Sequence, residues 1–283
     1  MKLAALTAAR APVCCAAMHA ESTGDGKRPV ERPIELAPEA LRGKVALVTG
    51  GAAGLGKGVA SALLEQDAVV AIADIDAELG AATAEQLACH FIELDVRDLD
   101  ANRRAVEETV AKFGGLDLLH LNAGVESPFT LGDDFDVDAY RRAMAINLDG
   151  VVFGFHAARP AMIASGGGSV IATASLAGLA AMAPQPVYGT NKAAVVGLVR
   201  ALGPMHIAEG IRVNGICPGF ADTAIIEGVR EALTAGGVPI IPVKAVADAT
   251  LRLFADDVNG RLLVIQAGVE PYYFRFPGLP RAR

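Results

Sequence analysis

From about residue 41 onward, short continuous apolar runs alternate with longer amphipathic segments. The runs are rich in Val, Ile, Leu and Ala, and they span residues 45–48, 69–73, 91–94, 118–121, 169–174, 212–217 and 262–265. A strand covered by helices on both faces carries apolar residues continuously rather than at alternate positions. The runs therefore predict the strands of a parallel sheet.

The amphipathic segments between the runs have the length and spacing of helices. They span residues 55–65, 76–87, 99–113, 139–164, 187–209 and 243–254. Strands that alternate with helices predict an α/β fold, a single doubly wound parallel sheet of the Rossmann type with helices on both faces. Ligands of such a sheet bind in the crevice at the carboxyl ends of the strands, so the polar residues that follow the runs are the candidates for function.

The first 42 residues differ from the rest of the chain. Between residues 21 and 42, charged residues and Pro29, Pro33 and Pro38 stand without periodic apolar positions, which is typical of a poorly ordered leader. No internal repeat or second composition class follows. We therefore expect one domain, residues 43–283, preceded by the leader.

Composition and charge narrow the functional classes. A formal net charge of −7 without any basic block argues against a nucleic-acid-binding protein. No stretch approaches the ~20 uninterrupted apolar residues of a membrane span. The four cysteines form no CxxC pair and have no histidines at zinc-ligand spacing, which predicts free thiols, no metal site and a cytoplasmic protein.

A glycine-rich turn follows the first apolar run. It contains Thr49, Gly50, Gly54, Leu55 and Gly56, and it opens the first predicted helix. Glycines let the backbone approach a pyrophosphate closely, and the amide groups and dipole of the helix favour the anion. Because both the strand and the helix are predicted here, the turn indicates a dinucleotide site.

Asp74 closes the second run, where an acidic side chain can accept hydrogen bonds from the ribose hydroxyls of the adenosine. A carboxylate there would repel a 2'-phosphate, so NAD is the expected cofactor. The alternative is that Asp74 serves only as a helix cap or a surface charge, and Asp76 is the ordinary cap candidate at this corner.

Tyr188 and Lys192 stand four residues apart at the start of a long predicted helix, so their side chains share a face. Ser175 follows the preceding run and would face the same crevice. A free phenol with a pKa near ~10 is a poor base at neutral pH, but a neighbouring ammonium stabilises the phenolate. The three residues therefore predict proton transfer to and from an alcohol, with a few units of downward shift in the pKa of Tyr188.

The spacing Thr-Gly-x-x-x-Gly-x-Gly and the ordered motifs after it resemble the short-chain dehydrogenase/reductase family. The resemblance covers residues 43–268. It implies that Ser175 orients the substrate oxygen, that Lys192 also binds the nicotinamide ribose, and that Asn147 positions a proton-relaying water. For Asn147 the alternative is a polar residue that satisfies a helix kink.

The same resemblance implies further cofactor contacts at successive strand ends: Asp95 and Val96 at the adenine, Asn122, Ala123 and Gly124 after the fourth strand, and Pro218, Gly219 and Thr223 after the sixth. Leu121 precedes Asn122 where the family often has a second Asn. Residues 224–242 after Thr223 are expected to form a mobile lid over a small-molecule substrate.

The residues around Ser175 and Tyr188 look most like the hydroxyprostaglandin dehydrogenase branch of the family. In that branch a glutamine at the position of Gln185 helps to hold the substrate hydroxyl, which implies a lipid-like secondary alcohol. The alternative for Gln185 is a surface turn residue between Pro184 and Pro186.

Two other functions stay open: an NADPH-dependent reductase of ketones or 3-oxoacyl compounds, and a non-catalytic NAD-binding scaffold. The family resemblance also implies a homodimer or homotetramer assembled through helices 139–164 and 187–209. The tail after Gly268 carries no motif, and we expect it to pack against a partner subunit.

Overall fold

The computed structural model describes residues 39–127, 130–133 and 135–277. Within these residues one eight-stranded sheet forms the centre, with the strand order β3-β2-β1-β4-β5-β6-β7-β8. The strands are β1 (Val45–Thr49), β2 (Val69–Asp74), β3 (His90–Glu93), β4 (Leu118–Leu121), β5 (Gly168–Thr173), β6 (Ile211–Pro218), β7 (Leu262–Gln266) and β8 (Val269–Tyr273). Strands β1 to β7 are parallel, which confirms the predicted Rossmann-type sheet.

The helices lie close to their predicted bounds. They are α1 (Gly54–Leu64), α2 (Ala77–Leu87), α3 (Leu99–Phe113), α4 (Val137–Met144), α5 (Gly150–Ala164), α6 (Pro186–His206), α7 (Arg230–Ala235) and α8 (Val243–Ala255). Short 3-10 turns cover Leu176–Gly178, Ile207–Glu209 and Ala224–Val229.

Two hydrophobic clusters pack on opposite faces of the sheet. One contains Val106 of α3, Phe155 of α5 and Val199 of α6, and the other contains Leu63 of α1 and Phe254 of α8. Because both faces are covered, β1 and β4 are buried at every position, as the continuous apolar runs predict.

The strand order reverses beside β1. From β1 the chain proceeds to β2 and β3 on one side and then returns to β4 on the other. The helices that follow β1 and β4 consequently leave the sheet in opposite directions, and a crevice opens at the carboxyl ends of these two strands.

The predicted helix 139–164 is interrupted in the structure. A π-helical turn, Ala145–Asp149, separates α4 from α5 and contains Asn147. Such turns occur mostly as single insertions and often at functional sites. Asn147 therefore lies in an irregular turn between two helices rather than inside one continuous helix.

The tail after Gly268 packs on the sheet of its own chain, and its contact with a partner subunit stays a prediction. Gly268 has φ +72°, which reverses the chain, and β8 pairs antiparallel with β7. Phe276 lies beyond β8 and stacks against the guanidinium of Arg200, 3.7 Å from the ring centroid. The last described residues thus complete the edge of their own sheet.

The predicted leader lies mostly outside the described residues. Of its final positions, Leu41 is buried in one of the core clusters and Arg42 forms ion pairs with Glu39 and Asp67. The predicted lid, residues 224–242, contains α7 and is anchored by buried side chains of Ile226 and Leu233.

Glycine is required sterically in the turn between β1 and α1. Gly50 and Gly54 have φ values of +63° and +53°, in the left-handed region. A Cβ on Gly56 would overlap the carbonyl oxygen of Gly50, so the turn and the first turn of α1 pack without room for a side chain.

Gly56→Ala should therefore lower the free energy of unfolding by about 1–3 kcal/mol, because the atom that must give way is backbone rather than a flexible side chain. Gly228→Ala is the matched control, since a Cβ there meets no atom within 4 Å. Urea unfolding measures both variants. Equal stabilities for the two would contradict the packing argument.

Candidate active site

The amino terminus of α1 leaves backbone donors available at the crevice. The next three helices, α2, α3 and α4, are capped by the side chains of Asp76, Asp98 and Asp136. The N-cap residue of α1 is Ala53, whose side chain cannot accept a hydrogen bond. The first amide groups of a helix have no partner within the helix. Together with the glycine turn they form a cradle for an anion.

The carboxylate of Asp74 lies beside this cradle, at the end of β2. Its Oδ2 accepts a hydrogen bond from the amide of Ala52 at 3.0 Å, and its Oδ1 accepts one from the amide of Asp76 at 3.2 Å. Asp76, not Asp74, caps α2 through the amide of Leu79. The structure thus places Asp74 at the glycine turn and gives the cap to its neighbour.

Asn122 fastens the two sides of the crevice together. Its Nδ2 donates to the carbonyls of Thr49 and Gly50 at 3.1 and 3.3 Å, and its backbone amide donates to Thr49 Oγ1 at 2.9 Å. The end of β4 therefore holds the glycine turn after β1 in place.

Thr173, at the end of β5, connects Asn122 to α6 through hydrogen bonds. Its hydroxyl donates to Asn122 Oδ1 at 3.1 Å and bonds His120 Nε2 at 3.0 Å, while its carbonyl accepts a bond from Lys192 Nζ at 2.8 Å. Full burial lowers the pKa of His120 to about 3, so His120 is neutral. Sequence reasoning did not single out Thr173.

Lys192 is a buried ammonium with few partners. Its side chain lies within α6 among buried residues, and the bond to Thr173 is the hydrogen bond that the described residues supply to Nζ. Burial lowers the pKa of Lys192 to about 8, and the nearby Cys217 acts in the opposite direction. Two N–H donors of Nζ are left for acceptors from outside the chain.

The hydroxyl of Ser175 lies close enough to the phenol of Tyr188 to influence its pKa. Lys192 Nζ lies 5.7 Å from the centroid of the Tyr188 ring, on the same face of α6. Burial raises the pKa of Tyr188 to about 12; the Ser175 hydroxyl lowers it and the charge of Glu126 raises it further. The predicted downward shift is thus absent from the protein alone, because desolvation outweighs the neighbouring hydroxyl.

Asn147 is fully buried in the π-helical turn and binds the chain after β4. Its Nδ2 donates to the carbonyl of Val125 at 2.9 Å, and its Oδ1 accepts from the amide of Val125 at 2.8 Å. A Cβ on Gly124 would lie 3.1 Å from Asn147 Oδ1 and 3.5 Å from Lys192 Nζ. Asn147, Gly124 and Lys192 therefore meet on one side of the crevice.

Gln185 lies at the start of α6 and points its amide at an acidic residue. Its Nε2 donates to Glu126 Oε1 at 3.5 Å, a long hydrogen bond. Glu126 is half-buried, and burial raises the pKa of its carboxyl. Sequence reasoning did not single out Glu126, although an ionisable residue just after the fourth strand met the strand-end rule used for the others.

The remaining predicted residues fall into two groups. Asp95 is engaged by the guanidinium of Arg97 at 2.6 Å, which lowers the pKa of the carboxyl, and Val96 is buried against α5. Pro218, Gly219 and Thr223 follow one another at the end of β6, and a Cβ on Gly54 would lie 3.3 Å from Thr223 Cγ2. The turns after β1 and β6 thus approach each other across the crevice.

These features fit a dinucleotide. The uncapped start of α1 suits a pyrophosphate, the glycine turn leaves the space that a Cβ would fill, and the buried ammonium of Lys192 has donors for hydroxyl groups. In residues 39–127, 130–133 and 135–277 no group of three or more His, Cys, Asp or Glu side chains could hold a metal ion. No helix in the same residues combines the length and the apolar character needed to cross a membrane.

Comparison with known proteins agrees with this arrangement. A cis-4-hydroxycyclohexanecarboxylate dehydrogenase of Sinomonas cyclohexanicum is 34% identical over 244 residues, which are 81% of this chain and 98% of the relative. The human NAD(+)-dependent 15-hydroxyprostaglandin dehydrogenase is 38% identical over 203 residues, 68% of this chain and 73% of the relative.

A solved short-chain dehydrogenase/reductase from Mycobacterium marinum superposes with a TM-score of 0.76 and 31% identity, covering 82% of this chain and 97% of that one. The model of the short chain dehydrogenase family matches residues 44–234. The chain belongs to the short-chain dehydrogenase family and is an oxidoreductase that acts on hydroxyl groups.

Proposed function

We propose that the protein is an NAD-dependent enzyme that interconverts a secondary alcohol and a ketone, with Tyr188 as the base and acid. The observation that carries the proposal is the position of the buried Lys192 ammonium, 5.7 Å from the centroid of the Tyr188 ring, with the hydroxyl of Ser175 near the phenol. A nicotinamide held in the crevice would supply the hydride acceptor. The chain itself must hold the alcohol and remove its proton.

Ser175 and Tyr188 hold the substrate oxygen between them. The hydroxyl of Ser175 donates a hydrogen bond to that oxygen, and the phenolate of Tyr188 accepts its proton during oxidation. In the reverse direction the phenol returns the proton to the developing alkoxide of the ketone.

Lys192 lowers the pKa of Tyr188 by stabilising its phenolate, and it also binds the nicotinamide ribose. Lys192 is 4% exposed, and among the described residues its ammonium has one acceptor, so ribose hydroxyls would complete its hydrogen bonding and favour its charged form. A charged Lys192 stabilises a negative Tyr188. Asn147 holds the chain at Val125 beside this ammonium, which is the place for the water that passes the proton onward.

Asp74 supports NAD rather than NADP. Its carboxylate is fixed by the amides of Ala52 and Asp76 at the glycine turn, and a 2'-phosphate brought to it would be repelled. Around it, the backbone of Thr49, Gly50, Gly54, Leu55 and Gly56 would bind the pyrophosphate; Asp95, Val96, Asn122, Ala123 and Gly124 would line the adenosine and ribose side; and Pro218, Gly219 and Thr223 would face the carboxamide.

A lipid-like or cyclic secondary alcohol suits the substrate class that the relatives' names describe, a hydroxycyclohexanecarboxylate and a hydroxyprostaglandin. Gln185 would help to hold it, and residues 224–242 would cover it.

Assembly into a homodimer or homotetramer through α5 and α6 is favoured by exposed apolar residues on these helices, Val152, Ile163 and Met205.

Tyr188→Phe should reduce kcat for alcohol oxidation by about 10²–10⁴-fold, because the variant keeps the ring but loses the proton acceptor. Formation of NADH across a panel of secondary alcohols measures the loss. Tyr140→Phe is the matched control, since Tyr140 lies on α4 against Phe135. Turnover undiminished in Tyr188→Phe would refute the mechanism, and NAD binding without turnover of any alcohol or ketone would favour the scaffold.

Asp74→Asn should raise the ratio of kcat/KM for NADP to that for NAD by about tenfold, because the substitution removes the charge that repels a 2'-phosphate. Asp76→Asn is the control: it removes a charge two residues away, and Asn caps a helix as well as Asp does. If the wild-type protein binds NADPH more tightly than NADH, the protein is instead the NADPH-dependent reductase.

A further inference from the structure

A polar pair stands beside the proposed catalytic tyrosine and has no part in proton transfer. Glu126 follows β4 and Gln185 precedes α6, so two separate segments bring a carboxylate and an amide together at 3.5 Å. Gln185 directly precedes α6 and is three residues before Tyr188, so the pair lies near the start of the helix that carries the phenol.

Within the described residues, the carboxylate of Glu126 has capacity to accept further hydrogen bonds. Among the described residues, the amide of Gln185 is its hydrogen-bond donor, and that bond is at the outer limit of length. A carboxylate accepts through two oxygens and donates nothing when it is ionised. Covering a half-buried carboxylate with a purely apolar substrate would therefore leave it unpaired, which is unfavourable.

The pair lies near the place that the carbinol carbon of a substrate would occupy. Gln185 directly precedes α6, three residues before Tyr188, and binds Glu126 there. A substrate whose carbinol oxygen lies at Ser175 and Tyr188 therefore brings a neighbouring carbon towards the pair. A hydroxyl there would donate to the carboxylate and accept from the Gln185 amide, whereas a carboxylate there would be repelled.

We propose that Glu126 and Gln185 form a specificity subsite that selects alcohols with a second hydroxyl on a carbon near the carbinol, namely diols and polyols. This inference rests on the proposed alcohol oxidation at Tyr188 and assigns its substrate class. The amide of Gln185 donates a hydrogen bond to the second hydroxyl and orients it, while the carboxylate of Glu126 accepts a hydrogen bond from that hydroxyl. The subsite disfavours plain apolar alcohols and 3-hydroxy acids.

The test compares three matched substrates, namely cis-1,2-cyclohexanediol, cyclohexanol and cis-2-hydroxycyclohexanecarboxylate. Both kcat/KM for oxidation and the dissociation constant by calorimetry are measured, the latter with enzyme saturated with NADH, in which an alcohol cannot be oxidised. The variants are Glu126→Ala, the isosteric Glu126→Gln, and Glu107→Ala as a control on the exposed side of α3. Thermal unfolding verifies that each variant is folded.

We expect the wild-type enzyme to prefer the diol to cyclohexanol by about tenfold or more, since a site built to bond a hydroxyl rejects the analogue that lacks it. Glu126→Ala should bring the ratio to about one, and Glu126→Gln should also admit the hydroxy acid, whereas Glu107→Ala should keep the wild-type ratio.

The subsite is overturned if the wild-type enzyme shows no preference for the diol, or if the preference survives Glu126→Ala. In either case, turnover of both alcohols would still support the proposed function. A binding preference for the diol that Glu126→Ala abolishes, without oxidation of any substrate, would support the subsite and refute the proposed function. Failure of all three compounds to bind would overturn the subsite as well.

Discussion

The hydrogen bond from the buried ammonium of Lys192 to the carbonyl of Thr173 is the interaction on which the rest of the crevice depends. Thr173 also fixes Asn122 through its hydroxyl, and Asn122 in turn holds the turn that contains Gly50. One residue at the end of β5 therefore sets the position of both the proposed ribose-binding cation and the proposed pyrophosphate cradle. His120 completes the hydrogen bonding behind them as a neutral side chain.

Burial disfavours the charged forms of both Lys192 and Tyr188, although the proposed mechanism requires both to be charged. It lowers the pKa of Lys192 to about 8 and raises that of Tyr188 to about 12, so in the protein alone at neutral pH the lysine is charged and the phenol is protonated. Above pH 8 Lys192 loses its charge well before Tyr188 ionises. A phenolate beside an ammonium consequently requires further acceptors for Lys192, and ribose hydroxyls are the groups that would supply them.

The apolar runs were sufficient to predict the parallel sheet, because burial on both faces leaves a continuous pattern. The strand-end rule singled out Asp74 and Ser175, and the spacing of four residues on a helix singled out Tyr188 and Lys192. The pattern missed β8, whose residues alternate between the two cores and follow a turn at Gly268. It also could not find contacts between residues distant in sequence, such as Gln185 with Glu126. The balance of desolvation against charge at Tyr188 depends on packing, which no linear pattern contains.

Binding of NAD, acting through Lys192, is expected to lower the pKa of Tyr188 so that the phenol can act as a base. The direct test is a pH titration of phenolate ultraviolet absorbance, taken as the difference between the wild-type protein and Tyr188→Phe, with and without saturating NAD. We predict no ionisation of Tyr188 below about pH 10 without NAD, and a midpoint lower by about two units or more with it, a shift that Lys192→Met abolishes. The same titration curve with and without NAD, or an undiminished shift in Lys192→Met, would contradict the account.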